Sequence, residues 1–124
     1  MVEIREATED DIASFYGVKQ EYDMMAWLVV WEGFPAAMAG FVRYNNRWVV
    51  FSDIKDGVSA PKLLIFKVAK RLISLMRDAR DGLEIAIEPE LLQQKEKLYN
   101  KLGFTLQEKN GYCWFGFRKE ENSK

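Results

Sequence analysis

The stretch LYNKLGF, residues 98–104, marks the end of a helix and the start of a strand. Gly103 stands where a helix C-terminus turns into a left-handed conformation, which glycine adopts without steric cost. The apolar segment FTLQE follows directly and predicts a strand. Tyr99 lies four residues before the glycine, and helix termination requires no phenol there. The tyrosine therefore either packs a core or performs chemistry.

Working outward, hydrophobic periodicity and turn signals predict the order β-α-β-β-β-α-β-α-β-β. Thr8 is the predicted N-cap of the first helix, and acidic residues fill the first turn after it. The segment DMMAWLVVWEG is apolar on both faces and predicts a central strand, after which GFP (33–35) turns the chain. Asn45-Asn46 predicts one tight hairpin and Lys109-Asn110-Gly111 a second.

The second half of the chain supplies two further helices around one strand. Pro61 is suited to the first position of a helix that continues to about residue 77, and Pro89 begins another that ends before Gly103. The segment GLEIAIE lies between these helices, which implies parallel pairing with an earlier strand. The core-facing residues predicted for the long helix are Leu64, Ile65, Val68, Ala69, Leu72, Leu75 and Met76.

Length and charge limit the classes of protein that fit. The 124 residues predict a single domain over 1–118 with a polar tail at 119–124. There are 18 basic and 19 acidic residues, a net charge of −1. This charge balance argues against a general nucleic-acid binder, because such proteins carry a basic excess. A local basic patch stays compatible with it.

The residue types also limit the chemistry. The sequence has no histidine, which excludes a Ser-His-Asp triad, a His-activated cysteine and His-containing zinc sites, and no metal site is predicted. Cys113, the single cysteine, lies in an apolar strand and is interpreted as a small core residue. Proton transfer must use Asp, Glu, Tyr, Lys, Cys or water. The charged N-terminus and the short apolar runs predict a cytoplasmic protein without membrane contact.

The element order, with IREATEDD near the start and LYNKLGF near the end, resembles the GNAT superfamily of acyl-CoA N-acyltransferases. The resemblance implies an α+β fold with a mixed central sheet of about seven strands and helices on both faces. It implies acetyl transfer from acetyl-CoA to an amine. In that family the tyrosine before Gly-Phe protonates the departing CoA thiolate, which gives Tyr99 a catalytic role. Glu88, at the end of its strand, is the best-placed base acting through water, with Glu32 second.

The resemblance implies that CoA lies between the strands RWVVFSD and LEIAIE, with its pyrophosphate at the start of the following helix. The cofactor-binding residues implied are Phe51, Ser52, Asp53, Lys55, Gly57, Val58, Ser59, Ala60 and Lys62. The family pattern in this turn is Arg or Gln, two residues, Gly, one residue, then Gly or Ala. Here Lys55 and Val58 occupy the first two defined positions and only Ala60 fits. Val58 disfavours the required φ and Pro61 lacks an N–H, so the phosphate cradle is predicted to be degraded.

Two other positions of the family pattern, on the last helix, are Leu92 and Lys95 where Asn and Ala are common.

A second resemblance connects the chain with small phage proteins of GNAT-like fold, including an internal virion protein of short-tailed coliphages. The matching residues are Gly33, Phe34 and Pro35; Trp48, Val50, Ser52 and Asp53; and Leu72, Ile73, Arg77 and Asp78.

Two functions follow as hypotheses. The first is an N-acetyltransferase acting on an amine. The second is a catalytically inactive GNAT-fold phage protein, a virion component or host-interaction module with a protein partner, present in the host cytoplasm and the virion. The sequence leaves the oligomeric state open, a homodimer included.

Overall fold

The computed structural model describes residues 2–19 and 23–117, so the predicted tail at 119–124 lies outside the described residues. The chain forms the strands and helices β1 (Val2–Glu6), α1 (Glu9–Tyr16), β2 (Met24–Trp31), β3 (Phe34–Tyr44), β4 (Arg47–Ile54), α2 (Lys62–Ala79), β5 (Leu83–Ile87), α3 (Leu92–Lys101), β6 (Phe104–Asn110) and β7 (Tyr112–Phe117). A single 3₁₀ turn, Pro89–Leu91, precedes α3. The predicted order of elements and the α+β class are confirmed.

All seven strands form one mixed sheet in the order β1-β2-β3-β4-β5-β7-β6. Every neighbouring pair is antiparallel except β4 and β5, which are parallel. The parallel pairing expected for GLEIAIE is therefore confirmed, and its partner is RWVVFSDI. β2 has a paired strand on each side, as its apolar composition predicted.

Helices cover both faces of the sheet, as expected. On one face, Ile12 and Phe15 of α1 pack in a cluster with Ala26, Leu28 and Met38. On the other, α2 contributes Leu72 and Met76 to a cluster with Trp27, Val29, Ala39, Phe41 and Leu83. α3 covers the same face beside α2, against Ile85, Ile87, Phe104, Cys113 and Phe115. Cys113 is buried, in agreement with its interpretation as a core residue.

The local signals acted largely as predicted. The Thr8 hydroxyl accepts from the Asp11 N–H at 3.1 Å, and the Asp11 carboxylate accepts from the Thr8 N–H. Gly103, with φ of 99°, ends α3. The turn expected at 33–35 lies one residue earlier, because Glu32 and Gly33 take the positive φ values of 51° and 83° and Phe34 already begins β3. Ile65, expected in the core, is 45% exposed because the first turns of α2 border an unfilled apolar cavity.

Candidate active site

The two parallel strands separate soon after they meet. β4 and β5 pair only at Trp48–Leu83 and Val49–Glu84. Beyond these two pairs, β4 remains hydrogen-bonded to β3, and β5 to β7. No further described residue of β4 pairs with β5. Unpaired strand edges therefore face each other across a gap, and such edges can hydrogen-bond an extended ligand.

The turn at residues 55–61 connects the open end of β4 to α2. Within this turn the Val58 N–H donates to the Lys55 carbonyl at 3.4 Å. Gly57, which lies between these two residues, has a φ of 85°. Val58 itself has no positive φ. Val58 and Ala60 line an apolar cavity of about 260 Å³ under α2. The turn thus places its glycine one residue before the position that the family pattern requires.

The N-terminus of α2 has free donors. The first helical hydrogen bond runs from the Ile65 N–H to the Pro61 carbonyl at 3.0 Å, which leaves the N–H groups of residues 62–64 outside the helical pattern. Pro61 provides no side-chain cap, and there is no acidic residue in the first turn. Together with the exposed Lys62, these donors and the helix dipole favour an anion.

Lys55 is engaged elsewhere in this structure. Its Nζ donates to the Phe15 carbonyl at 2.8 Å and lies 4.5 Å from the centre of the Phe15 ring. A cation at the C-terminal end of a helix is favourable, so Lys55 stabilises the end of α1. Of the other residues predicted to bind the cofactor, Ser52 borders the apolar cavity under α2. Phe51 borders a second cavity on the opposite face of the sheet, and Asp53 borders both cavities. Ser59 is exposed.

The two predicted catalytic residues lie near the same end of β5. Glu88 follows the strand directly and is exposed. Tyr99 packs in the cluster that contains Ile87, with its ring 5.2 Å from that of Phe115 in an edge-to-face arrangement. Burial raises the pKa of the Tyr99 hydroxyl, and this hydroxyl has no hydrogen-bond partner among the described residues. The phenol therefore stays protonated at neutral pH and has a free donor.

Sequence reasoning missed a larger cavity on the face that α1 covers only in part. This aromatic cavity has a volume of about 720 Å³ and is lined by Tyr16, Met24, Val42, Tyr44, Asn45, Arg47, Val49, Phe51, Asp53, Ala86, Tyr112 and Trp114. Residues of both separating strands form part of its wall, so the cavity borders the gap. The available signal was the two-residue alternation of β4, which puts residues 47, 49, 51 and 53 on one face.

Two polar arrangements border the aromatic cavity. The Tyr16 hydroxyl donates to Asp53 Oδ2 at 2.6 Å, and burial together with that carboxylate raises the pKa of Tyr16 well above its usual range. Arg47 donates to Glu84 at 3.2 Å and Glu108 at 3.1 Å, and its guanidinium lies 3.9 Å from the centre of the Trp114 ring. The arginine is thus held by three neighbours, while Asp53 accepts one hydrogen bond.

Comparison with solved structures identifies the architecture. Aminoglycoside acetyltransferase AAC(6')-Ib, solved with paromomycin and acetyl-CoA, superimposes with a TM-score of 0.63 over 94% of this chain and 93% of that one, at 16% identity. The fold is GNAT-like. The GNAT domain of Streptomyces lividans PAT gives a TM-score of 0.62 at 13% identity, over 92% of this chain and 88% of its own.

A third GNAT-like match is a putative streptothricin acetyltransferase from Bacillus anthracis, solved with acetyl coenzyme A. Its TM-score is 0.61 at 10% identity, over 96% of this chain and 99% of its own. No protein-family model and no curated protein sequence matches the chain. The structural matches confirm the GNAT-like fold implied by LYNKLGF and the element order. Within the described residues, no helix is both long enough and apolar enough to cross a membrane.

Proposed function

We propose that this chain is an acetyl-CoA-dependent N-acetyltransferase that acts on an amine in the cytoplasm. The observation that carries the proposal is the separation of β4 from β5 after two residue pairs. The gap offers strand edges to the pantetheine arm, and the uncapped start of α2 with Lys62 offers donors to the pyrophosphate. The residues present fit the CoA ester, although Lys55 and Val58 contribute less than the family positions would.

Acetyl-CoA held at the gap and the start of α2 would supply an acetyl thioester, whose acetyl group would pass to the amine nitrogen as a C–N bond forms and the C–S bond breaks. Tyr99 then donates its phenolic proton to the departing thiolate. The hydroxyl is protonated at neutral pH when the thiolate forms, and its raised pKa makes it a weaker acid than free tyrosine. Glu88, through a water molecule, takes the proton from the amine nitrogen. The amine enters from the aromatic cavity, whose wall contains residues of both separating strands.

Saturating acetyl-CoA should raise the melting temperature by several degrees. Binding at a hundred times Kd stabilises the native state by about 2.7 kcal/mol. Val58→Asp should abolish the shift, because it places a negative charge in the turn that leads into the α2 donors. Its melting temperature without acetyl-CoA accounts for the cost of a charge in the apolar cavity that Val58 lines. Val58→Asn is the matched control, since it has almost the same shape without the charge and should keep the shift. An unchanged melting temperature of the parent chain would contradict cofactor binding.

Glu88→Gln should lower kcat by roughly 10²-fold if this carboxylate acts through water. The substitution preserves shape at an exposed site, so the melting temperature should not change. Glu90→Gln removes a carboxylate of similar exposure two residues away and should leave kcat unaffected. Full turnover by Glu88→Gln would exclude Glu88, and Asp53, the carboxylate on the aromatic cavity, would be the next base to replace.

A second function, protein contact without catalysis, is favoured by the exposed apolar residues near the 55–61 turn. Ile54 and Ile65 both border the apolar cavity under α2 and are 59% and 45% exposed, and Leu63 in the first turn of α2 is 65% exposed. Exposed large apolar side chains are typical of interface anchors. This alternative is the virion component or host-interaction module of a phage. It requires that acetyl-CoA produce no melting shift in the parent chain.

A further inference from the structure

We infer that the aromatic cavity binds a small amine with a single positive charge and a flat apolar body, the arylalkylamine class, and that Asp53 holds its ammonium group. Polycationic amino sugars are thereby excluded as the preferred ligand. Acetylation of this amine depends on the proposed function, but its binding does not.

The wall of the cavity suits a flat apolar body. Five aromatic side chains contribute to it: Tyr16, Tyr44, Phe51, Tyr112 and Trp114. Tyr112 and Trp114 stand edge to face with ring centres 6.3 Å apart, and Tyr44 and Tyr112 remain 60% and 51% exposed. Aromatic side chains that are open to solvent bury apolar surface when a ligand ring packs against them. The faces of aromatic rings also attract a cation.

The charges around the cavity suit one ammonium group. Among the described residues that line it, Asp53 is the only acid and Arg47 the only base. Arg47 is occupied by Glu84, Glu108 and the Trp114 ring, whereas the Asp53 carboxylate has unused acceptor capacity beyond its bond from Tyr16. A second or third ammonium group would lose water in this cavity without gaining a carboxylate, which costs free energy.

The position of Asp53 also suits the chemistry. It lies on β4 four residues beyond Val49, the last β4 residue that pairs with β5, and therefore beside the gap. An amine held there would lie beside the gap that the proposed function assigns to the pantetheine arm. The volume of about 720 Å³ is within the usual range for small-molecule sites, and it accommodates a compound of one or two rings.

Calorimetry without CoA tests this assignment with three probes. 2-Phenylethylamine should bind, and 2-phenylethanol, which has the ring but no charge, should bind about tenfold more weakly. Kanamycin, a polycationic amino sugar, should bind no more tightly than 2-phenylethanol. Tighter binding of kanamycin than of 2-phenylethylamine would overturn the inference, and so would equal binding of the two phenyl compounds.

Variants locate the site. Asp53→Asn should weaken binding of 2-phenylethylamine about tenfold, whereas Asp56→Asn, in the exposed turn, should not change it. Tyr16→Phe removes the hydrogen bond to Asp53 but keeps the carboxylate and the ring in the cavity wall. It should therefore weaken binding less than Asp53→Asn does, which separates loss of charge from loss of that bond. Unchanged binding by Asp53→Asn would overturn the inference. If the amine binds and acetyl-CoA does not, the proposed function fails alone; the converse result removes only this inference.

Discussion

Gly40→Ala should lower the free energy of unfolding by about 3 kcal/mol, because overpacking a filled site forces backbone to move. Gly40 is buried in β3 opposite Ala26 of β2. A methyl group at position 40 would meet the Met25 carbonyl oxygen and would lie 2.6 Å from the Ala26 Cα. Both are backbone atoms of the paired strand, so relief requires β2 and β3 to separate. Urea unfolding would measure the loss, with a fall in melting temperature of roughly 10 °C.

Gly116→Ala is the matched control for this substitution. Gly116 is also a buried strand glycine without a positive φ. The three atoms nearest to its added methyl group all belong to the side chain of Gln107, whose Oε1 would lie 2.5 Å away. Gln107 is exposed and can rotate into solvent, so the control should cost less than about 1 kcal/mol. Equal urea midpoints for the two variants would contradict the explanation by backbone contact.

The fold was predictable because its turns carry residues with few conformational alternatives. Asn45 and Asn46 adopt φ of 50° and 64°, and Gly103 adopts 99°. These residues tolerate positive φ better than most others, so their positions defined the hairpin and the end of α3. Glu32 adopts 51° as well, but glutamate has no such preference. The β2–β3 turn was therefore predicted one residue too late.

The aromatic cavity was not predictable in the same way. Its lining comes from α1 and five strands, β2, β3, β4, β5 and β7, which are spread over most of the sequence. Whether Asp53 faces this cavity depends on strand register, and a shift by one residue would turn it to the other face. Sequence reasoning grouped Asp53 with the CoA contacts because the resemblance places CoA along the strand RWVVFSD, which Asp53 ends. The structure adds that it also borders the aromatic cavity and accepts a hydrogen bond from the Tyr16 hydroxyl.

The 55–61 turn shows what a motif comparison omits. The comparison predicted a degraded cradle from the absence of glycine at residue 58. In the structure Gly57 takes the positive φ, and Val58 borders the apolar cavity under α2. A branched residue at this position therefore has apolar surroundings available, and donors for an anion remain at the start of α2. The acetyl-CoA experiment decides whether those donors suffice.

Tyr99→Phe should lower kcat by roughly 10²-fold while leaving the Kd for acetyl-CoA unchanged. The phenolic hydroxyl has no hydrogen-bond partner among the described residues, so its removal leaves no protein group unsatisfied. The ring would keep its edge-to-face contact with Phe115 at 5.2 Å between centres. Only the proton donor is lost, and a thiolate must then leave without protonation.

Steady-state kinetics should show kcat and kcat/KM falling together, the pattern of an interaction made only in the transition state. Because burial raises the pKa of Tyr99, the parent chain should keep this phenol protonated to a higher pH than free tyrosine would. The melting temperature of Tyr99→Phe controls for folding. Tyr99→Leu separates proton donation from packing, because it loses the ring contact as well as the hydroxyl and should also reduce stability. Tyr99→Phe removes only the hydroxyl, the group that could donate a proton. If this variant retains the parent kcat while Tyr99→Leu melts at a lower temperature, Tyr99 contributes to packing alone.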